Sequence, residues 1–258
     1  MPWEHGAVSS NLTTQTEQDK GGFKMSHYTV AVIHHPEQDI DELLAPFDEN
    51  IKVPKYISYT KQQAVAHVRK YWKDVEDLSD EECYVKMAAD YDDDMKDADG
   101  NLYSTYNPQS KWDWYQEGGR WSGLLRHKDT GKECDEGRIG DLVFDLDEEE
   151  YKRAIRFWEV VVEHKPAEDG DNYYLCYKEE YYKERYGTKE NYARRCASFT
   201  TYAVLTPDGV WHAPGEMGWF GCSSESDDDS RDWDEHYMER FIESADPNDI
   251  LTIVDCHI

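Results

Sequence analysis

The sequence predicts an α+β fold, a mainly antiparallel sheet with packed helices in a single domain, on three observations. Strand-like segments stand at both ends of the ordered region and as a hairpin between helices. Helical segments carry apolar residues every three or four positions, and no regular strand–helix–strand alternation runs along the chain. With 35 aromatic residues among 258, the chain has the rings to fill a core without disulfide staples.

Residues 1–24 are polar and lack an apolar stretch, so they form an expected flexible extension, and the domain is expected to span 25–258. Ser26 to Ile33 is β-branched and aromatic and predicts a strand ended by Pro36. Leu43 to Phe47 predicts an apolar turn, with an extended stretch to Tyr59. Thr60 predicts an N-cap for a helix over 61–73, with Ala64, Val65, Val68 and Trp72 on its core face. Ser79 and Glu82 form a capping-box pattern for a second helix that turns Cys83, Met87 and Ala88 inward. The span Asp74–Asp99 carries twelve acidic residues and two lysines and predicts a solvated face. Asp97, Asp99 and Gly100 resemble the middle of a calcium loop, but Met95 and Tyr106 occupy its essential ends; the segment predicts a hairpin turn.

Asp147 predicts the cap of the clearest helix, 148–164, where Tyr151, Ile155, Trp158 and Val162 repeat at core spacing. Tyr173 to Tyr192 predicts one or two amphipathic helices with Thr188 as a cap. Phe199–Thr206, the turn Pro207-Asp208-Gly209 and Val210–His212 predict a hairpin. A glycine-rich bend over 214–221 and an acidic loop at 227–229 lead into a helix over 232–244, and 250–258 predicts a buried strand.

The formal charge of −28, from 56 acidic and 28 basic residues, opposes direct binding to nucleic acid or anionic membranes, because phosphate binding depends on lysine and arginine. It suits solubility, and it suits a partner with a basic surface. Six scattered cysteines without a CxxC pair fit a reducing cytoplasm rather than a zinc site, and no apolar run is long enough to span a bilayer.

The segment Trp112-Asp113-Trp114-Tyr115-Gln116-Glu117-Gly118-Gly119-Arg120-Trp121 holds three of nine tryptophans, a glycine pair and an arginine. Rings, closely approachable backbone and a planar cationic fork suit recognition of an anionic ligand with a ring, so Trp112, Asp113, Trp114, Tyr115, Gly118, Gly119, Arg120 and Trp121 are the candidate ligand-binding set. The competing reading is that the tryptophans are core and the glycines a turn. His34 and His35 end the first strand, and Asp255 and His257 share a face at the end of the last. If the strands are neighbours, these four form a candidate metal site or acid–base group. No GxSxG, Walker A, GxGxxG or HExxH signature is present.

Three stretches carry a resemblance: Met25-Ser26-His27-Tyr28-Thr29-Val30-Ala31-Val32-Ile33, Leu44-Ala45-Pro46-Phe47-Asp48-Glu49-Asn50, and Asn107-Pro108-Gln109-Ser110-Lys111 running into Trp112–Trp121. With the closing Asp255-Cys256-His257, they resemble an uncharacterised family of proteins from bacteriophages and bacterial genomes. The resemblance implies a phage or prophage setting and carries over no catalytic residue. The residues before Met25 depart from the family's pattern, which makes Met25 a candidate native start. The expectation is a non-enzymatic phage-type accessory protein of the bacterial cytoplasm that inhibits a host component, a defence function first, through its acidic surface or by sequestering a nucleotide. The alternative is a metal- or acid/base-dependent enzyme on a small phosphorylated or nucleotide substrate.

Overall fold

The computed structural model describes residues 27–173, 177–218 and 222–258. The expected extension over 1–24 lies outside the described residues, as does part of the glycine-rich bend. The fold class is α+β, with seven α-helices among the described residues and a mainly antiparallel sheet. The described residues partition into two compact units, one built from those within 1–46 and 111–258, the other from 47–110. Nothing in the sequence marks these boundaries, because neither Pro46-Phe47 nor Ser110-Lys111 has the composition of a linker.

The first unit opens with β1 (His27–His34) and a short helix α1 (Ile40–Leu44), capped by Asp39, whose side chain accepts from the Asp41 backbone N–H. The second unit follows, with β2 (Tyr56–Tyr59), α2 (Lys61–Tyr71), α3 (Asp80–Ala88) and β3 (Leu102–Ser104). Both helices start at the caps expected from sequence. Thr60 and Gln63, and Ser79 and Glu82, form reciprocal capping boxes. Ala64, Val68, Val75, Cys83, Met87 and Leu102 close the core of this unit. The Asp97–Gly100 turn is the expected hairpin connection: Gly100 adopts φ +82°, and Asp97 accepts from the backbone of Asp99 and Asn101.

Back in the first unit come β4 (Trp114–Glu117), β5 (Leu125–Arg126), β6 (Glu133–Cys134) and β7 (Glu136–Arg138). After them come α4 (Glu148–Val161), α5 (Glu179–Tyr186) and α6 (Lys189–Ala197), followed by β8 (Ala203–Leu205), β9 (Trp211–His212), α7 (Asp227–Tyr237) and β10 (Ile250–His257). The main sheet runs β4-β10-β1-β8-β9, with β7 also pairing β10. All these pairs are antiparallel except β1 with β8. β1 and β10 form the centre, paired along eight residues from His27↔His257 to His34↔Ile250. Both are buried almost throughout, which accounts for their continuous apolar character.

On one face of these strands Ala31, Ile33, Leu251 and Ile253 pack against Trp233, Tyr237 and Phe241 of α7 and the turn after it. The acidic triplet expected as a loop is the first turn of α7: Ser226 caps the helix and Asp229 closes the box. Three carboxylates at a helix N-terminus are stabilised by its unpaired N–H groups and dipole, which outweighs the modest helix propensity of aspartate. Helices α4, α5 and α6 share a separate aromatic core around Trp158, Tyr182 and Tyr192. Near α7, Glu225 is only 5 % exposed, and neither of its carboxylate oxygens has a hydrogen-bond partner in another residue; burial raises its pKa.

Candidate functional site

The antiparallel register decides which polar residues meet. It sets His27 opposite His257, with Trp114 of β4 opposite His257 on the other side, so the three rings lie on one face of three adjacent strands. The rings of His27 and His257 meet edge to face at 5.0 Å between centroids, and those of His27 and Trp114 at 6.1 Å. Asp255, two residues before His257 and on the same face, takes the Nδ1–H of His27 at 2.7 Å. Its other oxygen accepts the Arg120 backbone N–H at 3.0 Å. His257 in turn donates Nδ1–H to Asp113. Two Asp–His pairs therefore stand side by side at one end of the central strands.

The loop after β4 makes this arrangement possible. Gly118 and Gly119 both adopt positive φ, +64° and +53°. A side chain at Gly119 would place its Cβ 2.6 Å from Oδ2 of Asp255, and one at Gly118 would lie 2.6 Å from Cγ of Asp135. Only glycine lets the backbone turn and approach both carboxylates. Asp135 anchors the far side of the loop, accepting from the Ser122 hydroxyl at 2.9 Å and the Gly123 N–H at 2.5 Å.

Each imidazole is held by a carboxylate at Nδ1, which fixes its orientation and leaves Nε2 as the working nitrogen. Nε2 of His257 is buried without a hydrogen-bond partner in a residue only 7 % accessible, an unsatisfied polar atom beside the His27 ring. Side-chain exposure is 12 % for His27 and 9 % for His257. Around them, Trp114 is 49 % exposed, and the guanidinium of exposed Arg120 makes no ion pair among the described residues. Two hollows elsewhere in this unit, near Arg240 and Phe241, involve none of these residues.

The candidate ligand set from sequence thus divides. Asp113, Trp114 and Arg120 border the paired histidines, and Gly118 and Gly119 shape the loop beside them. Trp112 is buried and edge-on to Tyr115 at 4.9 Å, while Trp121 packs against the core that includes Ala31, Ile33, Leu251 and Ile253. Tyr115 donates its hydroxyl to Asp41, and burial first, then that bond, raises its pKa well above the usual phenol range. Of these three rings Trp112 is buried, and Tyr115 and Trp121 are partly buried.

The four candidate metal or acid–base residues do not come together. Pairing the ends of both strands assumed that they run the same way. In the antiparallel register His34 lies opposite Ile250, about seven residues or roughly 23 Å along the strand from the His257 end and on the other face. His34 sits 3.2 Å from the Thr252 hydroxyl, and His35 pairs with Asp249 at 2.7 Å, which raises its pKa. Among the described residues no group of three His, Cys, Asp or Glu converges to hold a metal ion. His27 takes the place expected for His34. The signal for it was present, because a mainly antiparallel sheet joins the start of one terminal strand to the end of the other.

Among the described residues no helix is long and apolar enough to cross a membrane. Comparison of the chain with family models, with curated proteins and with solved structures finds no match.

Proposed function

We propose that the His27–Asp255 and His257–Asp113 pairs form an acid–base site acting on a small phosphorylated substrate, a nucleotide by preference. The observation that supports this reading is the adjacency of two imidazoles, each oriented by a carboxylate, one with a buried and unpartnered Nε2. In phosphoester hydrolysis the neutral imidazole takes a proton from the attacking water as the new P–O bond forms. The protonated imidazole gives its proton to the leaving oxygen as the old P–O bond breaks, so the pair ends with its roles exchanged. Arg120 offers charge to the phosphoryl oxygens, and Trp114 offers a face for the base or sugar.

A second reading has its own support, because half-exposed Trp114 and exposed Arg120, which makes no ion pair among the described residues, present a stacking face and an anion-binding fork whether or not protons move. On that reading the protein sequesters the ligand. Either reading suits a phage-type accessory protein in the bacterial cytoplasm that removes a host signalling nucleotide, and the −28 charge leaves a basic host protein as a further partner. The test is a panel of mono-, di- and cyclic nucleotides incubated with the full chain and with His257→Gln and His27→Gln. Turnover lost by at least about 100-fold in both variants, with binding kept, supports catalysis. Binding without turnover in the wild type supports sequestration. Neither binding nor turnover, with tryptophan emission unchanged across the panel, overturns both.

A further inference from the structure

Strand β9 and helix α7 border a hollow of about 540 Å3, a volume within the range of small-ligand sites. Trp211, Trp233 and Phe241 contribute rings to its wall, and Asp229, Asp232 and Arg240 contribute charge. His212 also lines it, and burial lowers its pKa, which keeps the ring neutral near pH 7. Two carboxylates against one guanidinium leave the wall net negative, in a chain already at −28. Aromatic faces reinforce that sign, because their π electrons attract cations.

The backbone here is built in an uncommon way. After α7 the chain makes a π-helical turn over Met238–Ile242, closed by the Glu243 N–H donating to Met238 O at 2.9 Å. The wide turn brings two consecutive residues, Arg240 and Phe241, onto the same hollow, and such turns recur at functional sites. Arg240 grips Asp232 with two hydrogen bonds of 2.6 and 2.9 Å. Both partners are about half exposed, at 44 % and 52 %, so solvent screens the pair and a better-desolvated cation competes for the aspartate.

We propose that this hollow is a binding site for an organic cation, an alkylammonium or alkylguanidinium whose charged head meets Asp232 and Asp229 while its stem lies against Trp211, Trp233 and Phe241. The site is independent of the histidine pairs and of any reaction there. The occupant is either a free small cation or an arginine or lysine side chain; both present the same chemistry.

The test follows the indole N–H resonances of Trp211 and Trp233 in the full chain during titration with butylammonium, butylguanidinium, the neutral isostere butylurea and the anion butyl phosphate. A glycine-flanked single-arginine peptide supplies the second source. Saturable shifts are expected with both cations, about tenfold weaker response to butylurea, and none to butyl phosphate. Asp232→Asn should weaken the cations about fivefold. Arg240→Gln, a rim substitution that leaves Asp232 with only the His236 ring 3.2 Å away, should tighten them about fivefold. Tighter binding of the peptide than of butylguanidinium supports a protein side chain as occupant, and weaker binding supports a small molecule. Three results overturn the proposal: no saturable shift with either cation, equal response to butylurea, or butyl phosphate binding that Arg240→Gln abolishes. Because Arg240→Gln must act in the opposite direction to Asp232→Asn, loss of folding in one variant cannot imitate the expected result.

Discussion

Replacing Gly119 by alanine tests whether the loop after β4 is packed on Asp255 as tightly as its geometry requires. Gly119 sits at φ +53°, a conformation that costs an L-residue about 1 to 2 kcal/mol. Gly131 sits at φ +64° with nothing within 4 Å of a built Cβ, so Gly131→Ala carries the backbone strain and no collision. At Gly119 the new methyl would lie 2.6 Å from Oδ2 of Asp255, which is 2 % exposed and has no room to withdraw. Its carboxylate must give up the Arg120 N–H or the His27 Nδ1–H, each a bond to a charged group worth about 1.5 to 3 kcal/mol. With partial relaxation, Gly119→Ala should cost about 2 to 4 kcal/mol more than Gly131→Ala. At about 2 to 4 °C per kcal/mol, the Gly131 variant should melt about 2 to 8 °C below wild type and the Gly119 variant at least about 4 °C lower again. Tryptophan emission is a suitable probe, since Trp112, Trp114, Trp121, Trp158 and Trp233 all belong to this unit. Equal midpoints for the two variants would refute the close approach of loop and carboxylate.

Trp112→Ala should destabilise by about 3 to 5 kcal/mol through lost burial and a cavity, and Trp114→Ala by less than half as much, because it is already half exposed; chemical denaturation curves compare the two. Arg120→Ala should keep stability within about 0.5 kcal/mol of wild type and lose nucleotide binding in a fluorescence titration. Glu225→Gln should stabilise near neutral pH. A carboxyl whose folded pKa is raised costs nothing below the ordinary glutamate range, where folded and unfolded chains are both protonated, and the cost grows as pH climbs toward the raised value. Melts at about pH 7 should therefore favour the glutamine variant, and melts at about pH 3.5 should bring the two together.

Local structure was legible where local rules govern it. The capping boxes at Thr60 and Ser79, the Asp147 cap and the Tyr151–Ile155–Trp158 spacing of α4 each depend on residues within one or two helical turns. Strand pairing is different, because nothing near His27 states that its neighbour lies 228 positions away at Asp255. The direction of that pairing decides whether His34 or His27 joins the site, and this one non-local choice separated a four-residue cluster that does not form from the two Asp–His pairs that do. The tryptophan segment stands out in the sequence, but its division into buried Trp112, exposed Trp114 and core-packed Trp121 is tertiary: Trp112 precedes β4, Trp114 opens it opposite His257, and Trp121 ends the 3-10 turn that follows. The charge density of Asp227–Asp229 suggests solvent, and a helix N-terminus provides the same exposure within regular structure.

The pairing of β1 with β10 also sets a clock on assembly. His34 and its neighbour Thr252 are separated by 218 positions, and the two strands form the middle of the sheet. At a translation rate of about 5 to 20 residues per second, β1 waits on the order of 10 to 40 s for its principal partner to leave the ribosome. Until then an apolar strand has one edge bare and His27 has no carboxylate. The face with the two Asp–His pairs is therefore absent from every nascent chain that has not yet released β10.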